Sequence, residues 1–375
     1  LLLVSVEELD IASLDKLLDV LRWEHMLARV LIEEGHLIFA HSDFRPSMSK
    51  VRGFRKWEVP LVACSATVPP EMERQIKDAC GLVDGYEIVR VPTVRPNISY
   101  SVKYQNDPTN ELITLLRQDL ESSNNSQSRF LAYVPTRDLS QQVTSALNSA
   151  RVAAYHGSLP EEQKAKILRD FIAGTFKVVV CTGAFGCGID YPFVRKVYHL
   201  FSSFDRMAFA QESGRLARSV DSIGESIVIT SETRENYPYN QFGGSTNVEN
   251  QMLDWIFDRA SCRRKSLQTY LDGVGTTCLE LLGSQLCDVC RSPNSSLSAG
   301  FAHHSSLTSL RSSSHPRLSS STSFSNSLFP FSSNSPSSTL SSSSASSSLK
   351  RQFSALSSEI TQLAKKNKDD ASFMQ

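Results

Sequence analysis

The sequence predicts an α/β protein built on parallel sheets, followed by a small helical segment with four cysteines and then by a disordered tail. Short apolar runs, many of them β-branched, alternate with helical patterns through residues 1–235. Several of these runs end in small or acidic residues, which is typical of buried parallel strands whose carboxyl ends carry function. From residue 292 serine dominates, and such a segment buries too little apolar surface to offset its ordering entropy.

Four regions follow from these patterns. Residues 1–92 are predicted to be an incomplete first α/β domain, with strands at Val4–Glu7, Val30–Ile32 and Leu61–Cys64. Residues 93–235 are predicted to be a second α/β domain, 236–291 a small helical subdomain and 292–375 the disordered tail. The second domain has the clearest strands: Arg129–Val134, Val152–Tyr155, Lys177–Val180, Val194–Leu200 and Glu225–Thr230.

One helix of the second domain has explicit start and stop signals. Ser158 to Glu161 predicts a capping box with Pro160 inside the first turn. The helix is expected to run to Ala173, because Gly174 is a natural stop.

Charge and hydropathy exclude some classes of function. Lys+Arg and Asp+Glu both number 39, so a nucleic-acid site would have to be a local basic patch. No run of 18 apolar residues occurs, so we expect no transmembrane helix and no membrane partner. The chain begins without Met, and we interpret it as a piece of a longer protein or a gene model cut at its start.

The most informative run is Gln211 to Arg218, which places Arg215 and Arg218 three residues apart. We expect the two arginines on one helical face, where their guanidinium forks suit phosphate oxygens. The alternative is an ordinary solvated helix face. The run Thr182 to Asp190 precedes it and contains three glycines, which let backbone N–H groups approach a phosphate closely.

Two short motifs near the start complete the chemistry. Glu33-Glu34-Gly35-His36 follows a predicted strand, where carboxylates can hold Mg²⁺ and orient an attacking water; a solvated turn is the alternative. Ser65-Ala66-Thr67 follows the next buried strand.

Four cysteines form the last motif. Cys262, Cys278, Cys287 and Cys290 are separated by 15, 8 and 2 residues. This pattern is typical of a closed, tetrahedral structural Zn²⁺ site, although a lone Cys-x-x-Cys could be redox-active.

These motifs, in this order, resemble the RecQ family of superfamily 2 helicases over roughly residues 1–291. The resemblance implies two RecA-like domains, the first incomplete, and an ATP-dependent 3′–5′ DNA helicase. It assigns Glu34 as the catalytic glutamate and Glu33 to the position of the Asp that reaches Mg²⁺, with His36 in the same box. Arg215 and Arg218 become the γ-phosphate arginines, with Arg218 the expected finger. Gly188, Asp190 and Gln211 fall on the nucleotide side.

The same resemblance implies DNA contacts. The segment after the acidic box resembles the family's aromatic-rich loop, but it is one residue shorter and lacks the usual Trp. The predicted nucleic-acid contacts are Phe39, Arg45, Thr136 and Thr182. Val94 to Ile98 resembles the segment that joins the two RecA-like domains. Arg263 and Arg264, which begin the zinc-binding resemblance, either meet DNA phosphates or lie on a surface helix face.

One expected element does not occur in this sequence. There is no Gly-x-x-x-x-Gly-Lys-Ser/Thr loop and no Gly-Lys dipeptide, and in the family that loop lies upstream. Two alternatives therefore stay open: a catalytically dead fragment that binds DNA and zinc only, and a superfamily 2 RNA helicase. The resemblance is greatest to divergent fungal RecQ-like proteins. It implies ATP, Mg²⁺ and structural Zn²⁺ as cofactors, single-stranded and junction DNA as partners, possible protein contacts through the tail, and a nuclear location.

Overall fold

The computed structural model describes residues 1–6, 8, 12–40, 46–122, 127–185, 190–219, 221–237 and 247–292. The described residues divide into two compact units. One contains residues 1–32 and 40–62, and the other contains residues 33–39 and 63–292. The predicted tail lies outside the described residues, and the domain boundaries expected from sequence stay a prediction.

The first unit is small. Its elements are helix α1 (Ala12–Trp23), strand β1 (Val30–Ile32), a long 3-10 helix (Pro46–Trp57) and strand β2 (Leu61–Ala63), which pairs with β1 and continues into the second unit. Trp57 anchors its core beside Leu14 and Leu18, and its indole N–H donates to Asp19 Oδ1 at 2.7 Å. A buried indole that finds an acceptor can contribute its large apolar area at no polar cost.

The strand predicted at Val4–Glu7 is wrong over its described residues. Leu1 to Ser5 are exposed, irregular backbone. An apolar run this short forms a strand only where a neighbouring strand completes the ladder, and none pairs with it among the described residues.

A six-stranded parallel sheet dominates the second unit. Its order is β3-β8-β7-β4-β6-β5, and each of the five neighbouring pairs is parallel. The strands are β3 (Ile98–Tyr104), β4 (Arg129–Tyr133), β5 (Val152–Tyr155), β6 (Val178–Cys181), β7 (Val194–Leu200) and β8 (Gly224–Thr230). The helices are α2 (Leu37–Ala40), α3 (Glu73–Cys80), α4 (Pro108–Ser122), α5 (Arg137–Leu147), α6 (Glu161–Ala173), α7 (Arg206–Ser213), α8 (Asn247–Phe257), α9 (Arg263–Asp272) and α10 (Asp288–Arg291).

The two faces of this sheet bury two different clusters. Alternate residues along a strand point to opposite faces, so Phe130 and Ala132 of β4 pack with α4 and α5, whereas Leu131 and Tyr133 pack toward α7 and the cysteines. Both faces of β4 and β6 are buried, as expected for a parallel sheet covered by helices. The predicted parallel α/β fold is therefore confirmed, and all carboxyl ends of its strands meet at one edge.

The stop signal of α6 is confirmed, but its predicted capping box is wrong. Gly174 takes φ +98, the left-handed conformation that ends the helix. Pro160 is extended, with φ −55 and ψ 144, and serves as N-cap without a side-chain hydrogen bond, so the helix begins one residue later. Because Pro160 stays outside the first turn, Ser158 is too early in the chain to cap it. Among the described helices, none is both long enough and apolar enough to span a membrane.

Candidate functional site

The acidic box forms a turn directly after β1. Within the second unit, the Gly35 N–H donates to the Cys64 carbonyl at 2.8 Å, which ties the box to the segment that contains Ser65 and Thr67. Glu34 has φ +50, an uncommon conformation for a residue with a side chain. A Cβ on Gly35 would lie 3.2 Å from the Ala63 Cβ, so little room exists for any larger residue there.

His36 connects the three predicted motifs. Its ring is buried, Nδ1 lies 2.8 Å from Ser65 Oγ, and Nε2 lies 2.9 Å from Gln211 Nε2. Gln211 Nε2 also donates to Thr67 Oγ1 at 3.1 Å. An amide nitrogen only donates, so His36 Nε2 accepts; the neutral ring then carries its proton on Nδ1. The arrangement brings together the acidic box, the Ser-Ala-Thr motif and the arginine-bearing segment.

Glu34 is held close to Arg215. Burial raises the pKa of the Glu34 carboxyl, the neighbouring Glu33 raises it further, and Arg215 opposes both. The Glu34 carboxylate also lies 3.4 Å from His36 Nδ1. A glutamate with a raised pKa is a better proton acceptor at neutral pH, which is the property a general base requires.

The two arginines do not share a helical face, and that expectation is wrong. Helix α7 ends at Ser213 with Gly214 as its cap, so both arginines lie in the following loop. Arg215 is buried and hydrogen-bonds the side chain of Tyr133. Arg218 is more exposed, and its Nη1 lies 3.0 Å from Asp190 Oδ1. Between them Ala217 takes φ +45, and the two guanidinium groups have different partners, Tyr133 and Asp190.

Asp190 is the partner of Arg218, and this exposed pair is weakly held. The exposed fractions are 37% for Arg218 and 81% for Asp190, and ion pairs this open contribute little free energy. An incoming phosphate could therefore replace the carboxylate at small cost. Gly188, the other predicted nucleotide residue in this segment, lies outside the described residues.

The predicted nucleic-acid residues fall at the carboxyl edge of the sheet where they are described. Thr136 caps α5, with its Oγ1 accepting from the Leu139 N–H at 3.2 Å. Thr182 begins the turn after β6, and its backbone carbonyl accepts from the Phe185 N–H at 3.0 Å. The backbone of Phe39 belongs to α2, its side chain is outside the description, and Arg45 lies wholly outside it. A phosphate contact is compatible with the positions of both threonines, because each hydroxyl can still donate a hydrogen bond.

The four predicted metal ligands lie together. All four Sγ atoms lie within 4.8 Å of one another, and all four residues are buried. The Cys262 Sγ is 3.6 Å from that of Cys278 and 4.0 Å from that of Cys287. Tetrahedral Zn–S bonds of about 2.3 Å place sulfurs roughly 3.8 Å apart, so the spacing fits such an ion. The Cys290 N–H also points to the Cys287 Sγ at 3.4 Å, a contact that suits a thiolate.

The thiols need a cation to ionise together. Burial raises the pKa of Cys290, and the neighbouring Cys287 and Cys262 sulfurs raise it further. A bound metal would reverse this effect, since it favours the thiolate form outright. The four cysteines can therefore hold a metal, and four protein ligands would leave no open coordination position.

Arg263 and Arg264 are neither DNA contacts nor surface residues, and both expectations for them are wrong. Both residues are buried, with 2% of the surface of each exposed to solvent. Arg263 Nε pairs with Asp288 Oδ1 at 3.1 Å, while Arg264 Nη2 donates to the Ile98 carbonyl at 2.7 Å. A guanidinium carries five donors, which lets it satisfy several buried carbonyls at once.

A buried acid–base pair, His199 and Glu212, was not predicted from the sequence. Glu212 Oε2 accepts from Ser203 Oγ at 2.6 Å and lies 3.2 Å from His199 Nε2. The His199 ring stacks on Tyr133, with centroids 5.6 Å apart. The only sequence signal was the Glu beside Gln211, because His199 stands in an otherwise ordinary strand.

Comparison with known proteins finds similarity to helicases. Residues 109–220 match the helicase conserved C-terminal domain. A probable ATP-dependent DNA helicase RecS of Bacillus subtilis is 34% identical over 50% of this chain and 38% of its own. An ATP-dependent DNA helicase RecQ of Synechocystis is 28% identical over 55% and 44%, and a putative ATP-dependent RNA helicase of Acanthamoeba polyphaga mimivirus is 27% identical over 66% and 46%.

The chain thus spans less than half the length of each of these relatives. The matched C-terminal domain covers α4 to α7 and with them the loop that carries Arg215 and Arg218. The chain contains a helicase conserved C-terminal domain and is related to the RecQ-like helicases of superfamily 2.

Proposed function

We propose that this chain belongs to a RecQ-like, ATP-dependent DNA helicase that moves 3′ to 5′ along a single strand. The contact between Gln211 and His36 carries this proposal. It joins the acidic box to the segment that contains the two arginines, as a nucleotide-hydrolysing site requires.

In the proposed reaction, Glu34 accepts a proton from the attacking water. Its raised pKa and the backbone held by Gly35 support this role. Glu33 would hold Mg²⁺, and ATP with that ion would supply the phosphoanhydride whose hydrolysis drives movement. Arg215 keeps a positive charge beside Glu34, and Arg218 would leave Asp190 to neutralise charge on the transferring phosphate.

Thr136 and Thr182 are proposed to contact the DNA backbone. They lie after β4 and β6, which are neighbours in the sheet, so both threonines are at the same edge. Phosphate contacts of this kind position a strand without reading its sequence, which suits a translocating motor. Phe39 and Arg45 are proposed to add contacts from the segment after the acidic box.

The cysteine cluster is proposed to hold one structural Zn²⁺. The sulfur spacing and the burial of all four ligands support this, and a closed site would stabilise the fold without taking part in hydrolysis. A nuclear location is proposed on the ground that duplex DNA is the expected substrate.

Two other candidates are distinguished by experiment. An RNA helicase is favoured by the mimiviral relative, which covers 66% of this chain. A DNA-binding protein without turnover is the second. DNA remains the better-supported substrate, because the relative with the highest sequence identity of these three is described as a DNA helicase.

The first experiment reads the transcript upstream of the Leu1 codon. The resulting protein is then assayed for ATP hydrolysis with single-stranded DNA and RNA of equal sequence, and for unwinding of duplexes with 3′ or 5′ tails. DNA-stimulated hydrolysis with unwinding of the 3′-tailed duplex supports the proposal. Stimulation by RNA alone supports the RNA helicase. DNA binding with no hydrolysis supports the inactive protein.

A further inference from the structure

The loop that carries Arg215 and Arg218 is held by groups outside it. Backbone carbonyls in a loop have no helical partners and need donors from elsewhere when they are buried. Arg95 supplies them: its Nη2 donates to the carbonyls of Leu216 at 2.8 Å and Ala217 at 3.1 Å, and its Nη1 donates to that of Gly214 at 3.3 Å.

Asn97 holds the same loop at its next turn. Its Nδ2 donates to the carbonyls of Ala217 and Ser222, both at 2.9 Å. The Asn97 carbonyl in turn accepts from the Gly224 N–H at 3.0 Å, where β8 begins. Ala217, which accepts from both Arg95 and Asn97, is the residue with φ +45. L residues rarely adopt this conformation unless their surroundings impose it.

Arg95 and Arg218 also share an acceptor. The Gly214 carbonyl accepts from Arg95 Nη1 and from Arg218 Nε, each at 3.3 Å. The shared carbonyl ties Arg218 Nε to the same point of the loop that Arg95 holds, while Arg218 Nη1 lies 3.0 Å from Asp190 Oδ1. The orientation of Arg218 therefore depends on where Arg95 stands.

Arg95 is itself anchored from the cysteine-bearing subdomain. Arg264 of α9 donates to the carbonyls of Arg95, Ile98 and Gln285, and the Gln285 N–H donates to the Pro96 carbonyl at 2.9 Å. Helix α9 begins directly after Cys262, which is its N-cap. The anchor is thus continuous from the cysteine cluster to the backbone of Arg95.

We propose that Arg95 and Asn97 are positioning residues for the phosphate-sensing arginine Arg218. They hold the carbonyls of Gly214, Leu216 and Ala217, so that Ala217 keeps its left-handed conformation and the loop presents the Arg218 guanidinium. This rests on the proposed function for the role of Arg218, but the holding of the loop by Arg95 and Asn97 is a separate, structural claim. A role in packing alone would predict that any residue of similar volume serves equally.

The test measures loop exchange and catalysis separately. Hydrogen–deuterium exchange of the peptide 214–224 is compared for wild type, Asn97→Ala and Arg95→Lys, with Asn110→Ala and Arg169→Lys as exposed controls on α4 and α6. Lysine keeps the charge and stem of Arg95 but cannot reach three carbonyls with a planar fork. Exchange in 214–224 should rise about ten-fold or more in both loop variants, with strands β4 to β7 unchanged. Unchanged exchange in 214–224 overturns the proposal, as does a rise that spreads through the sheet.

Catalysis supplies the second arm. In protein that hydrolyses ATP, both loop variants should lower kcat about ten-fold or more, with KM for ATP within about two-fold, because the lost contacts act on the transition state. A larger change in KM than in kcat overturns the positioning role. If wild type hydrolyses no ATP, the proposed function fails, and the exchange result alone decides whether Arg95 and Asn97 hold the loop.

Discussion

His36 accepts a hydrogen bond from the side chain of Gln211 across 2.9 Å, and this contact links two motifs that are 175 residues apart in sequence. The same Gln211 nitrogen donates to Thr67 Oγ1, so one side-chain amide contacts both the acidic box and the segment after β2. Because an amide nitrogen cannot accept, the contact also selects the histidine tautomer with its proton on Nδ1. The tautomer is therefore determined by a residue of the arginine-bearing segment.

Gln211→Ala should impair turnover by separating these motifs. The substitution removes the donor to His36 and Thr67, and leaving buried groups unsatisfied costs about 1–3 kcal/mol. We expect DNA-stimulated ATP hydrolysis to fall about ten-fold or more, since the box and the arginine loop lose their link. Gln163→Ala, at an exposed position of α6, is the matched control. Wild-type turnover in Gln211→Ala would argue that the contact is incidental.

Arg218→Ala should abolish DNA-stimulated ATP hydrolysis while sparing DNA binding. Loss of an arginine finger lowers turnover by about 10³-fold or more, because transition-state charge is left without its cation. DNA affinity should stay near that of the exposed control Arg169→Ala, measured by fluorescence anisotropy. Near-normal turnover would remove Arg218 from the finger role and favour Arg215.

The cysteine cluster should bind about one metal per chain. Cys287→Ser should lose that metal and lower the melting temperature, because the remaining sulfurs form an incomplete, buried site. Cys64→Ser, at an exposed thiol, should keep it. Metal content by mass spectrometry and thermal unfolding with and without chelator are the measurements. A folded wild-type protein that contains no metal would contradict the assignment.

Asp205 should make stability depend on pH. It caps α7 through the Ala208 N–H at 2.6 Å, yet burial raises its pKa, and Glu212 adds to the rise. The folded state therefore binds more protons than the unfolded state above the ordinary Asp pKa. This contribution to stability is present at low pH and is lost as pH rises through the raised value.

Asp205→Asn tests the direction of this pH dependence of stability. The amide oxygen can still cap α7, and the buried charge is gone, so the free energy of unfolding should rise at neutral pH. The gain should shrink as pH falls below the ordinary Asp pKa, because the wild-type carboxyl is then protonated too. Urea unfolding at a series of pH values measures it. A variant less stable than wild type at neutral pH would show that the charged carboxylate is favoured there.

Gly224→Ala should destabilise the loop that carries Arg215 and Arg218, because it crowds Leu216 and Ala217. A Cβ at Gly224 would lie 2.9 Å from the Leu216 Cβ and 3.2 Å from that of Ala217. Overpacking of this kind typically costs about 1–3 kcal/mol. Gly53→Ala meets nothing within 4 Å and is the control, expected to be neutral or stabilising. Equal free energies of unfolding for the two variants would contradict the predicted clash.

Five of the six strands of the second unit were predicted from sequence, whereas the edge strand β3 was not. Strand β6 is a continuous apolar run buried on both faces, and its predicted bounds differ from the observed ones by one residue. Strand β7 has its predicted bounds although Arg195 and Lys196 interrupt its apolar run. The ends of helices were less predictable. Pro160 is extended and lies before α6, and α7 ends at Ser213 although Gly214 keeps helical angles, φ −61 and ψ −12.

The sequence by itself determined the chemistry that this protein carries: the acidic box, the arginines 215 and 218, and four cysteines at metal-ligand spacing. Only the tertiary structure decided what each group faces. Arg263 and Arg264 look like any exposed basic pair in sequence, yet they are buried because carbonyls from distant segments converge on their donors. Arg215 and Arg218 likewise meet different partners, Tyr133 and Asp190, in a loop whose carbonyls are held by Arg95 and Asn97, more than 100 residues away in the chain. Residue type fixes what a side chain can bind, whereas long-range contacts determine which partner it meets.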